Sequence, residues 1–283
     1  MRGGIGALGL LALAAILWSS SGVLVKGLNW SPIGIASFRG LVAGLTMSWL
    51  LPGGFRPARL NRSQVYTGLC LAILSLCYVA ALKLTTAANA IVLQYTAPFW
   101  VAILAPFVVG EKTSTRDWLF IGLIFGGVVL FFLDKVSPTG FWGNVLALIS
   151  GFFFGILALL MRGRNNYFPA NGLILGNYLT FLLGLGGWFG PLPDLGGWLL
   201  LLLLGVFQMG LPYFLYALAA TKVTSLELVL VTMLEPVLNP VWVYLAYGEE
   251  PGPWALGGGF VVIGSVILWT FFKRNSKKPW NHK

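Results

Sequence analysis

Charged residues are scarce in this chain. Only 9% of its 283 residues are Asp, Glu, Lys or Arg, whereas 58% are apolar. Because soluble domains carry about 25% charged residues, this shortage excludes an ordinary soluble domain. The composition instead predicts a protein that is surrounded by lipid.

Histidine and cysteine are almost missing. The single histidine is His282, at the end of the sequence, so a histidine-based site in the apolar part of the chain is excluded. Cys70 and Cys77 lie seven positions apart in one apolar run. We interpret them as small packed residues rather than as a disulfide or a metal pair. No metal site and no cofactor are predicted.

The few acidic residues also bear on catalysis. Intramembrane enzymes need paired aspartates, an activated serine or a metal site. Asp117, Asp134 and Asp194 all fall at the ends of apolar runs or between them. We therefore predict that the chain is not an enzyme, and an intramembrane enzyme built on Glu235 and hydroxyl groups is a remote alternative. The 18 Lys and Arg residues are spread between the apolar runs, which argues against a nucleic-acid partner.

What the sequence has in abundance is long apolar runs. A membrane-spanning helix needs roughly 20 mostly apolar residues. Ten runs meet this requirement, at residues 4–25, 32–51, 64–82, 87–109, 117–133, 140–161, 170–190, 196–219, 223–247 and 253–272. The sequence therefore predicts an all-α membrane protein with ten transmembrane helices, which we call spans 1 to 10.

Two stretches of the chain share one layout. Moving the first stretch forward by 138 positions aligns Thr86 with Thr224, Pro98 with Pro236, Gly110 with Gly248, Glu111 with Glu249, Gly126 with Gly264 and Tyr78 with Tyr216. This shared offset predicts two repeats, residues 1–135 and 136–272, followed by a basic cytoplasmic tail at 273–283. Because each repeat has five spans, the second crosses the membrane in the opposite sense, and such inverted repeats underlie alternating access.

The basic residues predict the orientation. With a cytoplasmic N-terminus, fourteen Lys and Arg residues lie in cytoplasmic connections or tails and three, Lys26, Lys83 and Lys135, lie outside. Because cytoplasmic loops carry the excess of positive charge, both termini are predicted to be cytoplasmic.

The repeated proline, the Gly-Glu turn and the glycine of the following helix resemble the EamA repeats of the drug/metabolite transporter superfamily. The resemblance covers essentially the whole chain. It implies ten helices in a bacterial inner membrane and transport of amino acids, other small metabolites or drugs. It also implies a central cavity lined mainly by spans 1, 3, 4, 6, 8 and 9.

A carboxylate near mid-membrane is the sharpest candidate for chemistry. Glu235 is costly to place in lipid, and intramembrane ionisable groups are functional candidates. We consider it as a proton carrier or as a partner for a substrate ammonium group. The alternative is a structural role beside Pro236, which lacks an N–H. Glu227 is a possible second step in a proton path, unless it reaches water or Lys222.

The other predicted cavity residues are aromatic or carry an amide or hydroxyl group. Together with Glu235 they are Trp18, Ser19, Tyr78, Gln94, Trp100, Tyr213, Tyr216, Thr232 and Asn239. Pro98, Pro236 and Pro240 are predicted hinges, because prolines that interrupt a spanning helix free carbonyl groups that lipid cannot satisfy. For each aromatic residue, ordinary packing is the alternative.

Three further features have packing interpretations. Arg39 in span 2 has no evident partner; it is expected to meet a backbone carbonyl or reach the interface, with anion binding as the less favoured role. Gly40-x-x-x-Gly44, Gly122-x-x-x-Gly126 and Gly151-x-x-x-Gly155 predict close helix contacts. The lack of several intramembrane cations argues against a phosphorylated substrate.

We therefore predict a secondary transporter of small metabolites in the inner membrane. Amino acids, preferably apolar or aromatic, or related amphiphiles are the expected substrates, and export is the expected direction. A channel-like facilitator and a proton antiporter of drugs or lipophilic cations are the alternatives. The expected partners are the substrate and the lipid bilayer, with protons as a further partner if Glu235 carries them, and the chain is expected to act as a monomer.

Overall fold

The structure is a computed structural model that describes residues 2–20, 24, 28–57, 60–131, 133, 140–162, 169–248 and 252–276. Within the helices, the side chains of residues 2–5, 87–88, 239–240, 243, 247 and 274–276 are outside the description. All regular secondary structure in the described residues is helical.

The described residues form thirteen α-helices. These are α1 Arg2–Ser19, α2 Pro32–Leu50, α3 Arg62–Leu84, α4 Ala87–Gln94, α5 Ala97–Val108, α6 Thr115–Phe131, α7 Phe141–Arg162, α8 Ala170–Leu183, α9 Leu195–Leu203, α10 Leu211–Ala220, α11 Ser225–Thr232, α12 Glu235–Tyr247 and α13 Pro253–Ser276. A 3₁₀-helix at Leu185–Trp188 follows α8, and a π-helix at Leu204–Gly210 joins α9 to α10.

Many of these helices are suited to a bilayer. Six helical segments are long and apolar enough to cross a membrane: Pro32–Leu50, Arg62–Leu84, Asn89–Val108, Phe141–Arg162, Leu195–Ala220 and Pro253–Lys273. Large apolar side chains such as Trp49, Phe107 and Phe189 are 84%, 83% and 91% exposed, as expected for surfaces that contact lipid. The predicted all-helical membrane class is confirmed, while the count of ten spans stays a prediction.

Side-chain caps fix where several helices begin. The side chain of Asn61 accepts a hydrogen bond from Gln64 N, and Gln64 bonds back to Asn61 N, so a capping box begins α3. Thr224 and Glu227 form the same motif at the start of α11. Such caps satisfy backbone N–H groups that have no partner within the helix.

The structure repeats the sequence offset. Helix α4 begins at Ala87 and α11 at Ser225, 138 positions later; α5 at Ala97 and α12 at Glu235 differ by the same 138, as do the starts of α6 and α13. Gly110 and Gly248, which end α5 and α12, have φ angles of 72° and 71°, a conformation that favours glycine. The two-repeat architecture is therefore confirmed.

Spans 4 and 9 are each broken into two helices. In the first, Thr96 N bonds to Leu93 O at 3.2 Å; in the second, Met233 N bonds to Leu230 O at 3.2 Å. Each break is thus a short stretch of i→i−3 hydrogen bonds. We call them the first break, at Tyr95–Thr96, and the second break, at Met233–Leu234. Pro98 and Pro236 are the second residues of the helices that follow.

The other two prolines do not interrupt their helices. Helix α5 continues through Pro106 to Val108, and α12 continues through residue 240 to Tyr247. Neither Pro106 nor Pro240 therefore ends a helix, and the hinge role of Pro240 stays a prediction. The breaks lie before Pro98 and Pro236, because a proline fits the first turn of a helix, where its missing N–H is not needed.

Glycines allow the closest helix contacts. A Cβ atom added to Gly151 of α7 would lie 2.7 Å from Gln94 O, and one added to Gly44 would lie 2.7 Å from the Tyr178 ring. Gly122 and Gly126 instead have no atom within 4 Å of such a Cβ, so the close contact predicted for them is wrong. The adjacent Gly127 makes that contact, with Val261 and Val262 of α13.

Polar contacts join the two repeats at the ends of helices. Glu111 follows α5; its Oε2 accepts a 2.8 Å bond from Ser225 N, and its Oε1 accepts a 3.1 Å bond from Arg162 Nε. Elsewhere, Asn144 Oδ1 accepts hydrogen bonds from Thr85 Oγ1 and Asn89 Nδ2 at 2.7 and 3.0 Å. The start of α11 therefore contacts the turn that follows the first broken helix.

Candidate functional site

The two breaks meet at a cavity of about 140 Å³. This volume can hold on the order of ten water molecules or one small molecule. Its lining residues are Trp18, Arg39, Leu74, Ser75, Tyr78, Val79, Ile91, Gln94, Tyr95, Phe154, Gln208, Met209, Tyr213, Glu235 and Pro236. They come from both repeats: spans 1, 3, 4, 6, 8 and 9, which the family resemblance implies, and span 2, which contributes Arg39.

One hydrogen bond connects the two breaks across the cavity. Tyr95 lies at the first break, and its hydroxyl donates a 2.9 Å bond to Oε2 of Glu235, the first residue after the second break. Tyr95 is 4% exposed, whereas Glu235 is only partly buried. The carboxylate therefore has a fixed donor on one side and the cavity on the other.

A second polar chain joins spans 1, 2 and 8. Arg39 Nη1 donates a 3.2 Å hydrogen bond to Gln208 Oε1, and Gln208 Nε2 donates a 3.3 Å bond to Trp18 O. The Nε atom of Arg39 is buried and has no hydrogen-bond partner. Within the described residues, no carboxylate oxygen lies within 4.0 Å of an Arg39 nitrogen.

Aromatic rings form one wall of the cavity. The rings of Trp18 and Tyr213 meet edge to face, with centroids 5.2 Å apart, a favourable arrangement for an aromatic pair. Tyr216 packs behind Trp18 at 5.5 Å and is fully buried. This wall is apolar on its faces and polar only at the ring edges.

The amide of Gln94 is held on another wall. Gln94 Nε2 donates a 3.0 Å hydrogen bond to Ser150 Oγ of α7, which in turn donates a 3.1 Å bond to Leu74 O of α3. Gly151, the next residue of α7, permits the close approach that this chain requires. The polar edge of Gln94 is thus positioned by spans 3 and 6.

The structure brings five of the predicted side chains together: Trp18, Tyr78, Gln94, Tyr213 and Glu235 all line the cavity. Of the predicted hinges, Pro236 lines it and Pro98 is buried nearby. The side chains of Asn239 and Pro240 lie outside the described residues.

Two predicted cavity residues instead contact other helices. The Ser19 hydroxyl is fully buried and accepts a 2.7 Å bond from Trp242 Nε1. Trp100 packs edge to face on Phe152, with centroids 5.3 Å apart. The ring of Trp100 therefore packs on α7 and does not line the cavity.

Three further polar residues also lie away from the lining. Tyr216 is enclosed behind Trp18, and the Thr232 hydroxyl donates to the carbonyls of Leu228 and Val229 at 3.1 and 3.0 Å. Glu227 is 5% exposed, and its Oε2 accepts a 2.6 Å bond from Thr224 N in the capping box of α11. The carboxylate of Glu227 therefore caps a helix, and its role in a proton path stays a prediction.

Sequence reasoning did not select several lining residues for the site. Arg39 is visible as a cation within an apolar run, but its partner Gln208 is far away in sequence. Gln208 is an amide within another apolar run, which is the signal that points to it. Tyr95 stands three residues before Pro98, and its role became visible only with the break.

The arrangement can bind and orient a small amphipathic molecule. It offers one carboxylate, one guanidinium, two amides and five aromatic side chains around apolar ones. No group of three or more His, Cys, Asp or Glu side chains in the described part of the chain is placed to hold a metal ion. Asp117 and Asp194 lie at the starts of α6 and α9, away from the cavity, whereas Asp134 is outside the description.

Known proteins resemble this chain over most of its length. The sequence profile of the EamA-like transporter family matches it twice, at residues 5–133 and 141–271. Two proteins of Archaeoglobus fulgidus, each named an uncharacterized transporter, are 29% and 26% identical; each match covers 92% of this chain, and 96% and 94% of the relative. A crystal structure with 18% sequence identity has a TM-score of 0.84, covers 96% of this chain and 99% of its own, and supports the fold alone.

Proposed function

The chain belongs to the EamA-like transporter family, and from this premise we propose that it carries small, partly apolar metabolites by alternating access. Membership makes it a multi-pass membrane transporter of the drug/metabolite transporter superfamily. Amino acids with apolar or aromatic side chains are the proposed substrates, and export is the proposed direction.

The observation that carries the proposal is the meeting of the two breaks at one cavity. Tyr95 of the first repeat and Glu235 of the second share a 2.9 Å hydrogen bond there. In alternating access, two repeats change their relative position around a fixed site. A substrate that binds between the breaks contacts both repeats, and therefore favours some relative positions over others.

The chemistry of the lining supports the substrate class. Rings of Trp18, Tyr78 and Tyr213 offer apolar faces, while Gln94 and Glu235 offer hydrogen-bonding groups. Such a combination, mostly apolar with a few placed polar groups, is typical of small-molecule sites. A substrate with an apolar body and an ammonium group would satisfy both parts of this surface.

Proton coupling through Glu235 is a separate part of the proposal. A carboxylate that lines a cavity from mid-helix can take up a proton on one side of the membrane and release it on the other. The Tyr95 hydroxyl donates to the ionised form, so protonation of Glu235 would weaken the link between the two breaks. Proton binding and movement of the repeats would then be coupled.

Transport by reconstituted protein tests both parts. The protein is placed in liposomes, and L-phenylalanine and L-leucine are measured in counterflow and under an imposed pH gradient. We expect counterflow by the native chain, and in Glu235→Gln a loss of at least tenfold in gradient-driven uptake while counterflow persists. Gradient-driven uptake that is unchanged in Glu235→Gln contradicts proton coupling, and the absence of counterflow for every amino acid tried contradicts the substrate class.

A matched control separates the cavity from the rest of the protein. Glu111 is a second carboxylate, but it lies at the end of α5 and outside the cavity lining. Glu111→Gln is therefore expected to retain gradient-driven uptake. If Glu111→Gln loses as much gradient-driven uptake as Glu235→Gln, the loss reflects a general change in charge or stability and not a role of Glu235 in the cavity.

One observation favours a proton antiporter of lipophilic cations as the second candidate. A carboxylate beside aromatic rings is a site that organic cations can occupy, because ring faces attract positive charge. Uptake of tetraphenylphosphonium that exceeds amino-acid uptake and depends on Glu235 would favour this candidate. Fluxes that do not saturate and ignore the pH gradient would instead favour a channel-like facilitator.

The proposed setting is the inner membrane, with both termini cytoplasmic and the chain acting as a monomer. The supporting observation is the charge bias of the connections, where Arg56 lies on the predicted inner side and Lys83 on the predicted outer side. Single cysteines placed at these two positions, in a chain whose own cysteines are replaced, are expected to be labelled from opposite sides. Labelling of both positions from one side contradicts the orientation.

A further inference from the structure

We propose that Arg39 and Gln208 form a carboxylate-binding subsite in the cavity, so that the transporter selects zwitterionic α-amino acids over the corresponding amines. This inference rests on the proposed function and deepens it. It assigns the two ends of the substrate to opposite charges in the lining: the carboxylate to Arg39, and the ammonium group to Glu235.

The first observation is an incompletely paired guanidinium. Arg39 has five N–H donors, and one protein acceptor is recorded for it, the neutral amide oxygen of Gln208 at 3.2 Å. Its Nε is buried without a partner. Because a buried charge without a counter-ion is energetically unfavourable, an anion that enters the cavity would supply the missing counter-ion of Arg39.

The second observation is the helix packing that positions the Arg39 guanidinium. Arg39, Val42 and Thr46 lie three and four positions apart, on one face of α2. A Cβ atom added to Gly205 would lie 2.3 Å from Val42 Cβ, and one added to Gly210 would lie 2.7 Å from Thr46 Cβ. The π-helix of span 8 therefore packs directly on the face that carries Arg39.

Gln208 lies between these two glycines and has both ends of its amide engaged. Its oxygen accepts from Arg39, and its nitrogen donates to Trp18 O. These two bonds fix which way the amide points. Gln208 thus holds one edge of the guanidinium in place. A π-helical turn at this position is consistent with a functional site, where such turns occur frequently.

The third observation is the separation of opposite charges. Glu235 and Arg39 line the same cavity, yet within the described residues no ion pair within 4.0 Å joins them. Charge-assisted hydrogen bonds measure about 2.7–2.9 Å, so the two groups do not pair with each other, and a zwitterion carries a partner of opposite charge for each. The two opposite charges also match a substrate without net charge better than a cation, which would leave Arg39 unpaired.

The remaining lining suits the side chain of such a substrate. It consists of Leu74, Val79, Ile91, Phe154 and Met209. The same cavity therefore offers an apolar surface beside the two charged groups, as an apolar or aromatic amino acid requires.

Matched ligands test the subsite without any mutation. L-phenylalaninamide keeps the size, the ring and the ammonium group of L-phenylalanine but replaces the carboxylate with a neutral amide. We expect the native protein to bind L-phenylalanine at least tenfold more tightly, measured by ligand-induced thermal stabilisation in detergent and by competition for counterflow in liposomes. Equal affinity for the two ligands overturns the subsite but leaves an amine transporter, and with it the proposed cavity, intact.

Variants then assign the two charges. Arg39→Gln should weaken L-phenylalanine binding at least tenfold while leaving L-phenylalaninamide within about twofold, because only the carboxylate partner is lost. Glu235→Gln should weaken both ligands by a similar factor, since both carry the ammonium group, and its counterflow should then persist when the substrate concentration is raised to match. Arg39→Lys should recover part of the affinity, because lysine keeps the charge but not the planar fork.

An exposed arginine supplies the control. Arg56→Gln, outside the cavity, should bind both ligands like the native protein. If Arg39→Gln folds and still prefers L-phenylalanine to its amide, or loses both ligands equally, the inference is wrong. If Arg39→Gln does not fold, the comparison of L-phenylalanine with its amide on the native protein decides the question. Failure of the native protein to move any amino acid or amine would contradict the proposed function instead.

Discussion

The two broken helices have the same backbone and different chemistry. Helices α4 and α11 begin 138 positions apart, and so do α5 and α12, with a short i→i−3 stretch between the members of each pair. At the first break the chain has Tyr95 and Ala97; at the corresponding positions of the second it has Met233 and Glu235. Ala97 is fully buried, whereas Glu235 lines the cavity.

The packing of neighbouring helices also differs between the two breaks. Because Gly151 has no Cβ, α7 lies directly against the carbonyl groups beside the first break. A Cβ atom added to Gly151 would lie 2.7 Å from Gln94 O. The position of α1 that corresponds to Gly151 under the same offset is Leu13, which is 45% exposed. The repeat therefore sets where the backbone is interrupted, and a few side chains decide that one interruption is closely packed while the other carries the carboxylate.

Exchanging the side chains at positions 97 and 235 should have the largest effect on folding. Ala97→Glu would place a carboxylate in a fully buried position without a recorded cation, at a cost of several kcal/mol, so we expect no folded protein. Glu235→Ala removes a carboxylate from a cavity and should leave the fold intact. Yield of monodisperse protein and thermal unfolding in detergent measure both. Folded, stable Ala97→Glu would mean that the two breaks are chemically interchangeable.

Close packing at the first break predicts the next largest effect. Gly151→Ala forces a methyl group against Gln94 O and Leu93 O, so we expect a loss of about 1–3 kcal/mol in unfolding free energy. Gly122→Ala is the matched control, because no atom lies within 4 Å of its Cβ position. It should be neutral or stabilising, since alanine favours helix by up to about 1 kcal/mol. Equal effects of the two variants would show that Gly151 is not a close contact in the folded protein.

The hydrogen bond between the breaks predicts a smaller effect. Tyr95→Phe removes the 2.9 Å bond to Glu235 but keeps the ring, and should lower the unfolding free energy by about 1–2 kcal/mol. Tyr78→Phe is the control, because Tyr78 lines the same cavity and no described residue is recorded as its hydrogen-bond partner. A larger loss in Tyr78→Phe would indicate that the two breaks are not joined through Tyr95.

The parts of this site that the sequence predicts are those that follow from local rules. Prolines 98 and 236 mark both breaks to within a few residues, because a proline is accommodated best in the first turn of a helix. The common offset of Gly110 and Gly248 marks the repeat, because both positions need a conformation that glycine adopts easily. Trp18, Tyr78, Gln94, Tyr213 and Glu235 are accessible to prediction as polar or aromatic residues on spans that the resemblance places around a cavity.

Local rules fail where the helix is irregular. In a regular α-helix, Gln208 and Tyr213, five positions apart, would point about 140° away from each other. The interval between them begins in the π-helix at Leu204–Gly210, whose i→i+5 bonds change the angle between successive side chains, and both residues line the cavity. Such departures depend on packing between helices, which a single sequence does not reveal.

The smallest expected effect concerns the other contact between the broken helices. Glu111 ends the turn after α5, and its carboxylate reaches both Ser225 N, at the start of α11, and Arg162 Nε. The Arg162 side chain is 39% exposed, so the charge pair should contribute below about 1 kcal/mol and be weakened by salt.

Two substitutions at Glu111 separate these contacts. Glu111→Gln removes the charge but can keep an acceptor for Ser225 N, so it should lower stability by a few tenths of a kcal/mol at low salt and by nothing measurable at high salt. Glu111→Ala also leaves Ser225 N without this acceptor, and should cost about 1 kcal/mol more at every salt concentration. Thermal unfolding with added NaCl distinguishes them, with Lys112→Gln as a neighbouring charge control. If the alanine and glutamine variants unfold alike, the bond from Ser225 N to Glu111 contributes nothing to the coupling of the broken helices.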